Sequence, residues 1–167
     1  MCGFVGIVKT NGLNIDNKLD TNMNLAAKYL EPRGPDGSGF FKDNFSYFIH
    51  KRLKIIDISN ASSQPIKKEN LILCFNGEIY NYREVRAELV GLGYKFFSNG
   101  DGEVLISGWL EWGEVVLQKL EGMFAFSIWD NKSKSLYLCR DRYGKKPLVY
   151  SYKNNSMAFA SDLRSLS

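Results

Sequence analysis

Apolar residues occur along the chain in short dense runs separated by polar, glycine-containing segments. The first run, Phe4 to Val8, predicts a buried strand. Thr10 to Asn17 is polar and reads as a loop. The period then changes. Met23, Ala26, Ala27 and Leu30 fall at i, i+3, i+4 and i+7, which predicts one apolar helix face, with Asp20 or Thr21 as its N-cap. The helix is expected to stop at Glu31-Pro32, because the residue before proline avoids the α region. Arg33 to Gly39 is a turn-rich loop holding one cation and one anion.

Phe40-Phe41 and Phe45 to Ile49 read as two strands around the turn Lys42-Asp43-Asn44. His50 to Ile58 continues that region with apolar anchors on either side of Arg52. Asn60 to Gln64 is a polar loop, and Leu71 to Phe75 is an apolar strand. Asn76-Gly77-Glu78 is a turn signal at its end. Asn81 is the expected cap of a helix whose Val85, Leu89 and Leu92 share a face, with Gly91 and Gly93 closing it. A further helix is expected from Asp101 to Trp112 and a short one from Val115 to Leu120. Two hairpins follow: Met123 to Asp130 with Ser135 to Cys139, then Leu148 to Tyr152 with Met157 to Ala160. Strands in hairpin order, without strand–helix–strand alternation, give an α+β protein of antiparallel sheets with helices on their faces.

Composition narrows this picture. A chain of 167 residues with 44% apolar residues is enough for one domain with a sizeable core. The net charge of +4 comes from scattered residues, and no basic stripe calls for nucleic acid. No apolar run is long enough to span a bilayer, and the start lacks a secretory pattern. Cys2, Cys74 and Cys139 are odd in number and far apart. They match neither a disulfide framework nor zinc spacing, so no metal site is expected, and reduced thiols in a cytoplasmic protein are the simplest reading.

Chemistry enters at Cys2. Once Met1 is removed, this residue carries a thiol and a free α-amine together. An α-amine has a pKa of roughly 7.7–8.0, so it can accept a proton near neutral pH. The nucleophile then brings its own base. The alternative reading of Cys2 is a small hydrophobe at a frayed terminus. The single histidine, His50, is assigned a structural or solvent role, and Cys74 and Cys139, inside apolar strands, are expected to be buried and inert.

Seven stretches, in order and over nearly the whole chain, resemble the glutamine amidotransferase domain of glutamine-hydrolysing asparagine synthetases, a class II (N-terminal nucleophile) domain. They are Met1-Cys2-Gly3, Arg33 to Asp36, Arg52 to Asp57, Asn76 to Asn81, Asp101 to Val104, Gly122 to Phe126 and Arg140 to Leu148. The resemblance implies an N-terminal-nucleophile hydrolase fold, a four-layer αββα sandwich. It implies that residues 1–167 are one glutaminase domain in which Cys2 attacks the side-chain amide of glutamine through a thioester. Asn76 and Gly77 would form the oxyanion hole. Arg52 would hold the substrate carboxylate and Asp101 its ammonium, with Leu53, Ile55, Ile56 and Glu78 lining the pocket.

The pattern also departs from the family. Pro32 stands where the family usually has His before Arg-Gly-Pro-Asp, and Ser161-Asp162 stands where Ser-Glu is commoner. No Ser-Gly-Gly-rich pyrophosphate loop and no Walker-type loop occurs. The ATP-dependent synthetase domain is therefore expected outside this chain, C-terminal to it or on a separate subunit. No cofactor is expected here; ATP and Mg²⁺ belong to that other site. A homodimer stays open. Two alternatives stand beside the asparagine-synthetase reading: a non-catalytic binding or regulatory relative, and an amidotransferase serving a different activated carboxylate.

Overall fold

The computed structural model describes residues 1–166. One antiparallel sheet is built from β1 (Gly3–Lys9), β2 (Gly37–Lys42), β3 (Ser46–Arg52), β8 (Val149–Lys153) and β9 (Ser156–Ala160), in the order β2-β3-β1-β9-β8. The other contains β4 (Ile66–Lys68), β5 (Leu71–Ile79), β6 (Gly122–Asp130) and β7 (Ser135–Arg140), in that order.

The two sheets pack on each other through alternate residues of their strands. Phe4 and Val8 of β1, Phe48 of β3 and Phe159 of β9 meet Ile72 and Cys74 of β5 and Ala125 and Trp129 of β6. The intervening residues face outward, where helices cover them. Val5, Tyr47 and Ile49 pack on Met23, Ala27 and Leu30 of α1 (Asn17–Lys28) and the turn after it. Leu73, Phe75, Phe126 and Ile128 pack on α2 (Tyr82–Gly91) and α3 (Asp101–Trp112), joined by α4 (Val116–Lys119). Strands buried on both faces need apolar residues at every position, which is why β5 and β6 are continuous runs in the sequence. The result is the αββα sandwich. Truncating a buried ring such as Phe4 or Phe159 to Ala costs about 3–5 kcal/mol in cores of this kind.

The structure corrects four local expectations. α1 begins at Asn17, because the Asp16 carboxylate accepts from Leu19 N–H at 2.8 Å and caps it one turn before Asp20. β2 begins at Gly37 within the expected loop, since β3 offers a partner from Arg52 onward. Leu92 lies just after α2 and is 53% exposed, so the apolar face is Val85 and Leu89. Asn76-Gly77-Glu78 is not a turn: β5 runs through it to Ile79, paired residue by residue with Ala125, Phe124 and Met123 of β6.

Candidate active site

Cys2 immediately precedes β1, and neighbouring elements fix it. Leu53 N–H donates to Sγ at 3.3 Å, and the thiol lies 3.6 Å from Leu53 C=O. Its own carbonyl accepts from Arg33 Nε at 3.2 Å. The Asn76 amide satisfies its neighbours in one orientation only. Nδ2 then donates to the Cys2 carbonyl at 3.0 Å, and Oδ1 accepts from Arg33 Nη2 at 3.2 Å. Arg33 thus ties the start of β1 to β5. Burial pushes the Cys2 thiol up, while the Leu53 N–H, the terminal ammonium and Arg52 pull it back toward the thiolate.

The next wall is the edge of β5. Within a strand, alternate residues turn their N–H and C=O groups to the same side. Gln64 brackets Phe75, its Oε1 accepting from Phe75 N–H at 2.6 Å and its Nε2 donating to Phe75 C=O at 3.1 Å. Ile79 N–H donates to Asp101 Oδ2 at 3.0 Å. Gly77 stands midway and turns its N–H to the same edge. β4 reaches only as far as the position of Leu73, so it does not cover that edge at Gly77. On the other side β6 comes so close that a Cβ on residue 77 would lie 2.3 Å from Met123 O and 2.7 Å from Phe124 Cα. Glycine is required there by strand contact rather than by a turn.

Arg52 and Asp101 supply opposite charges. The Arg52 guanidinium, at the end of β3, is 7% exposed and donates to the carbonyls of Asp57 and Ser59. Among the described residues it is in no ion pair, so its charge is unneutralised. Asp101 opens α3 and is also 7% exposed; burial pushes its carboxyl up to about 6 against the pull of the Ile79 N–H and its own helix-start amides. Asp57 ties Arg52 to the loop that precedes α3. Its carbonyl holds Arg52, while its carboxylate accepts from Asn99 N–H, Ser59 N–H and Ser62 Oγ at 2.8 Å each. Those hydrogen bonds hold the Asp57 carboxyl well below the usual range.

Cys2, Arg52, Asp57, Gln64, Gly77 and Asp101 open onto one cleft of about 130 Å³. Cys2, Arg52, Leu53, Ile55, Ile56, Asn76, Gly77, Glu78 and Asp101 all line it, so the structure gathers every residue singled out from the sequence. Ile55 is at the rim, 66% exposed. The cleft can hold a zwitterion by a cation and an anion, and the Cys2 thiol lines the same space.

A glutamine amidotransferase domain family matches residues 1–167. The chain belongs to that family. As a glutamine amidotransferase domain it is 40% identical to asparagine synthetase [glutamine-hydrolyzing] 1 of Bacillus subtilis over 99% of its length, and 35% identical to asparagine synthetase 3 of the same organism over 99%. It spans only 26% and 27% of those two proteins. Its fold is that of the glutamine phosphoribosylpyrophosphate amidotransferase from B. subtilis, with a TM-score of 0.76 at 19% identity, over 99% of this chain and 43% of that one.

Several residues of this amidotransferase domain took no role from the sequence. Asp57, Gln64 and Lys146 line the wall of the cleft, with Lys146 meeting Met1 across 145 positions. The one available signal was that Arg33, Asp57 and Lys146 lie inside the matching motifs. His50 is fully buried under β5, donates Nε2–H to Phe75 C=O at 3.0 Å, and is pushed down to about 4 by burial. It is a neutral structural group whose N–H is committed to a carbonyl. Among the described residues no group of three or more potential ligands could hold a metal, and no helix is long and apolar enough to cross a membrane.

Proposed function

We propose that residues 1–167 form one glutaminase domain in which processed Cys2 hydrolyses the side-chain amide of glutamine. Arg52 binds the substrate α-carboxylate, for which the guanidinium fork is suited. Asp101 binds the α-ammonium, and Leu53, Ile55, Ile56 and Glu78 enclose the side chain. The observation that carries this reading is a buried cation without an acid and a buried acid with a raised pKa, facing one cleft with Cys2. Both burials are costly unless a ligand of opposite charge completes them.

Cys2 passes its thiol proton to its own α-amine, and the sulfur attacks the side-chain carbonyl carbon. The oxyanion is met by Gly77 N–H and Asn76 Nδ2. The α-ammonium returns the proton to the departing nitrogen, which leaves as ammonia, and water cleaves the thioester to glutamate. A free thiol suits a reducing, cytoplasmic compartment. The ammonia is destined for an activated aspartate at an ATP- and Mg²⁺-dependent site outside this chain, a reading that rests on the names of the relatives. Glutamate release by the chain, with intact mass to establish loss of Met1, tests the proposal. Release from the processed form is expected; a processed form that neither releases glutamate nor binds glutamine overturns it.

A further inference from the structure

Residues 140–148 take no part in the chemistry above, yet one carboxylate and one guanidinium tie them down. Asp141 accepts from the N–H groups of Phe124, Tyr143, Lys145 and Lys146 at 3.2, 3.1, 3.0 and 3.0 Å. Arg140 donates Nε to Lys146 C=O at 2.7 Å and Nη2 to Gly144 C=O at 2.6 Å. Gly144 sits at φ +61°, a conformation that side chains rarely adopt, with the Arg140 guanidinium 3.1 Å from where a Cβ would be. This lock turns Tyr143 and Lys145 to solvent and Lys146 inward.

Lys146 is 5% exposed and lines the cleft beside Cys2, Met1 and Glu78. Its Nζ contacts the Met1 sulfur. Among the described residues it is in no ion pair. An apolar side chain would fill the space without the cost of burying an ammonium. Burial, then the Arg33 guanidinium, pull the Lys146 ammonium down; Glu78, Asp141 and the Cys2 thiol act the other way. The Asp141 charge is taken up by four backbone amides, which leaves Glu78 and Cys2 as the groups Lys146 can serve.

We propose that Lys146 is a positioning residue for the nucleophile: held in the cleft wall by the Arg140–Leu148 loop, its ammonium favours the Cys2 thiolate and the uncharged α-amine beside it. A cation near an acid or an amine favours the less protonated form of each. The inference rests on the assignment of Cys2 as nucleophile. Once Met1 is removed, Nζ loses the Met1 sulfur as a partner, and Cys2 lines the same cleft.

The test is the pH dependence of Cys2 alkylation by iodoacetamide in the processed protein, followed by mass of the N-terminal peptide. Lys146→Met keeps the length and removes the charge; Lys146→Arg keeps the charge. The midpoint is expected to rise by about one pH unit in Lys146→Met and to stay near wild type in Lys146→Arg. Of the other charges around the thiol, Arg52 keeps its charge and Asp101 has finished titrating, being pushed up only to about 6; the α-amine, which stays protonated to higher pH once the Lys146 charge is gone, works against the rise, so the shift is read net of it. An unchanged midpoint in Lys146→Met overturns the proposal and makes Lys146 a spacer. Should that variant fail to fold by circular dichroism, Lys146→Gln is read by the same criterion. A shifted midpoint in a wild type that neither turns over nor binds glutamine rejects the glutaminase reading and keeps Lys146; turnover without a shift rejects Lys146 alone.

Discussion

Cys2 and Cys74 are both thiols on the inner side of the same sandwich, and their surroundings are opposite. Cys74 sits at 0% exposure between the sheets among Phe4, Phe48 and Trp129, where burial pushes its thiol far up with only Ser127 to oppose it. Cys2 sits where the two sheets part, and its burial is countered by an amide, an ammonium and a guanidinium. Burial raises both thiols, but fixed donors and cations beside Cys2 offset part of that rise and have no counterpart around Cys74. The sandwich supplies both settings because its interior is apolar while its open end collects strand edges and loop amides.

The sharpest way to break this contrast is to exchange the thiols' fates. Cys2→Ala is expected to lower glutamate release at least about a thousandfold, the scale on which nucleophile loss acts. The far-ultraviolet spectrum and melting temperature should stay near wild type, because residue 2 lies outside the three clusters that form the core. Substantial turnover in this variant removes the assignment.

The surroundings come next. Asn76→Ala deletes the clamp on the Cys2 carbonyl and, with it, one donor of the proposed oxyanion hole. Its kcat is expected to fall about 10²–10³-fold with a smaller change in KM. A change in KM alone would make Asn76 a binding group and leave Gly77 N–H as the oxyanion donor.

Asp101 gives a smaller effect with a defined sign. Its folded carboxyl is raised from 3.8 to about 6, so the free protein is protonated there below about pH 6 and cannot pair with an ammonium. kcat/KM for glutamine is expected to fall as pH drops through 6, and Asp101→Asn should raise KM about 10–100-fold with little pH dependence in that window. Because the native state holds the proton more tightly than the unfolded chain, stability from this group is present below about pH 4 and is lost as pH rises through 6. Asp101→Asn should therefore be more stable than wild type at pH 7, on the order of 1–3 kcal/mol, since Asn can still accept from Ile79 N–H. Urea melts at pH 4 and pH 7 measure this; equal stabilities at both would sink the buried-charge account.

These residues also mark how far the sequence was readable. The α1 face of Met23, Ala27 and Leu30 and the doubly buried strands followed from period and composition, because those signals are local. Cys2, Arg52, Asn76, Gly77 and Asp101 were legible through their motifs, and their convergence on one cleft came from the fold. The Asn76-Gly77 pair was misread because a glycine that turns and a glycine that admits a neighbouring strand have the same letter. Asp57 was illegible as a tie between Arg52 and the loop before α3, because it bonds across 42 positions to Asn99. No local pattern distinguishes Lys145, which faces solvent, from Lys146, which faces the cleft; the Asp141 and Arg140 lock decides it.

The smallest effect is the control that sharpens the comparison. Cys74→Ala removes one sulfur from the inter-sheet core, pairing in register with Ser127 on β6. Turnover is expected to be unchanged, because nothing from Cys74 reaches the cleft. Stability should fall by roughly 1–2 kcal/mol, at or below the lower end of large-to-small core substitutions, since the deleted atom is single. Iodoacetamide at pH 8 should modify Cys2 in the folded protein and reach Cys74 only after unfolding, so the alkylation rate of Cys74 should track global opening. A Cys74 that reacts as fast as Cys2 in the native protein would mean that the sheets part readily. The contrast between the two settings would then fail.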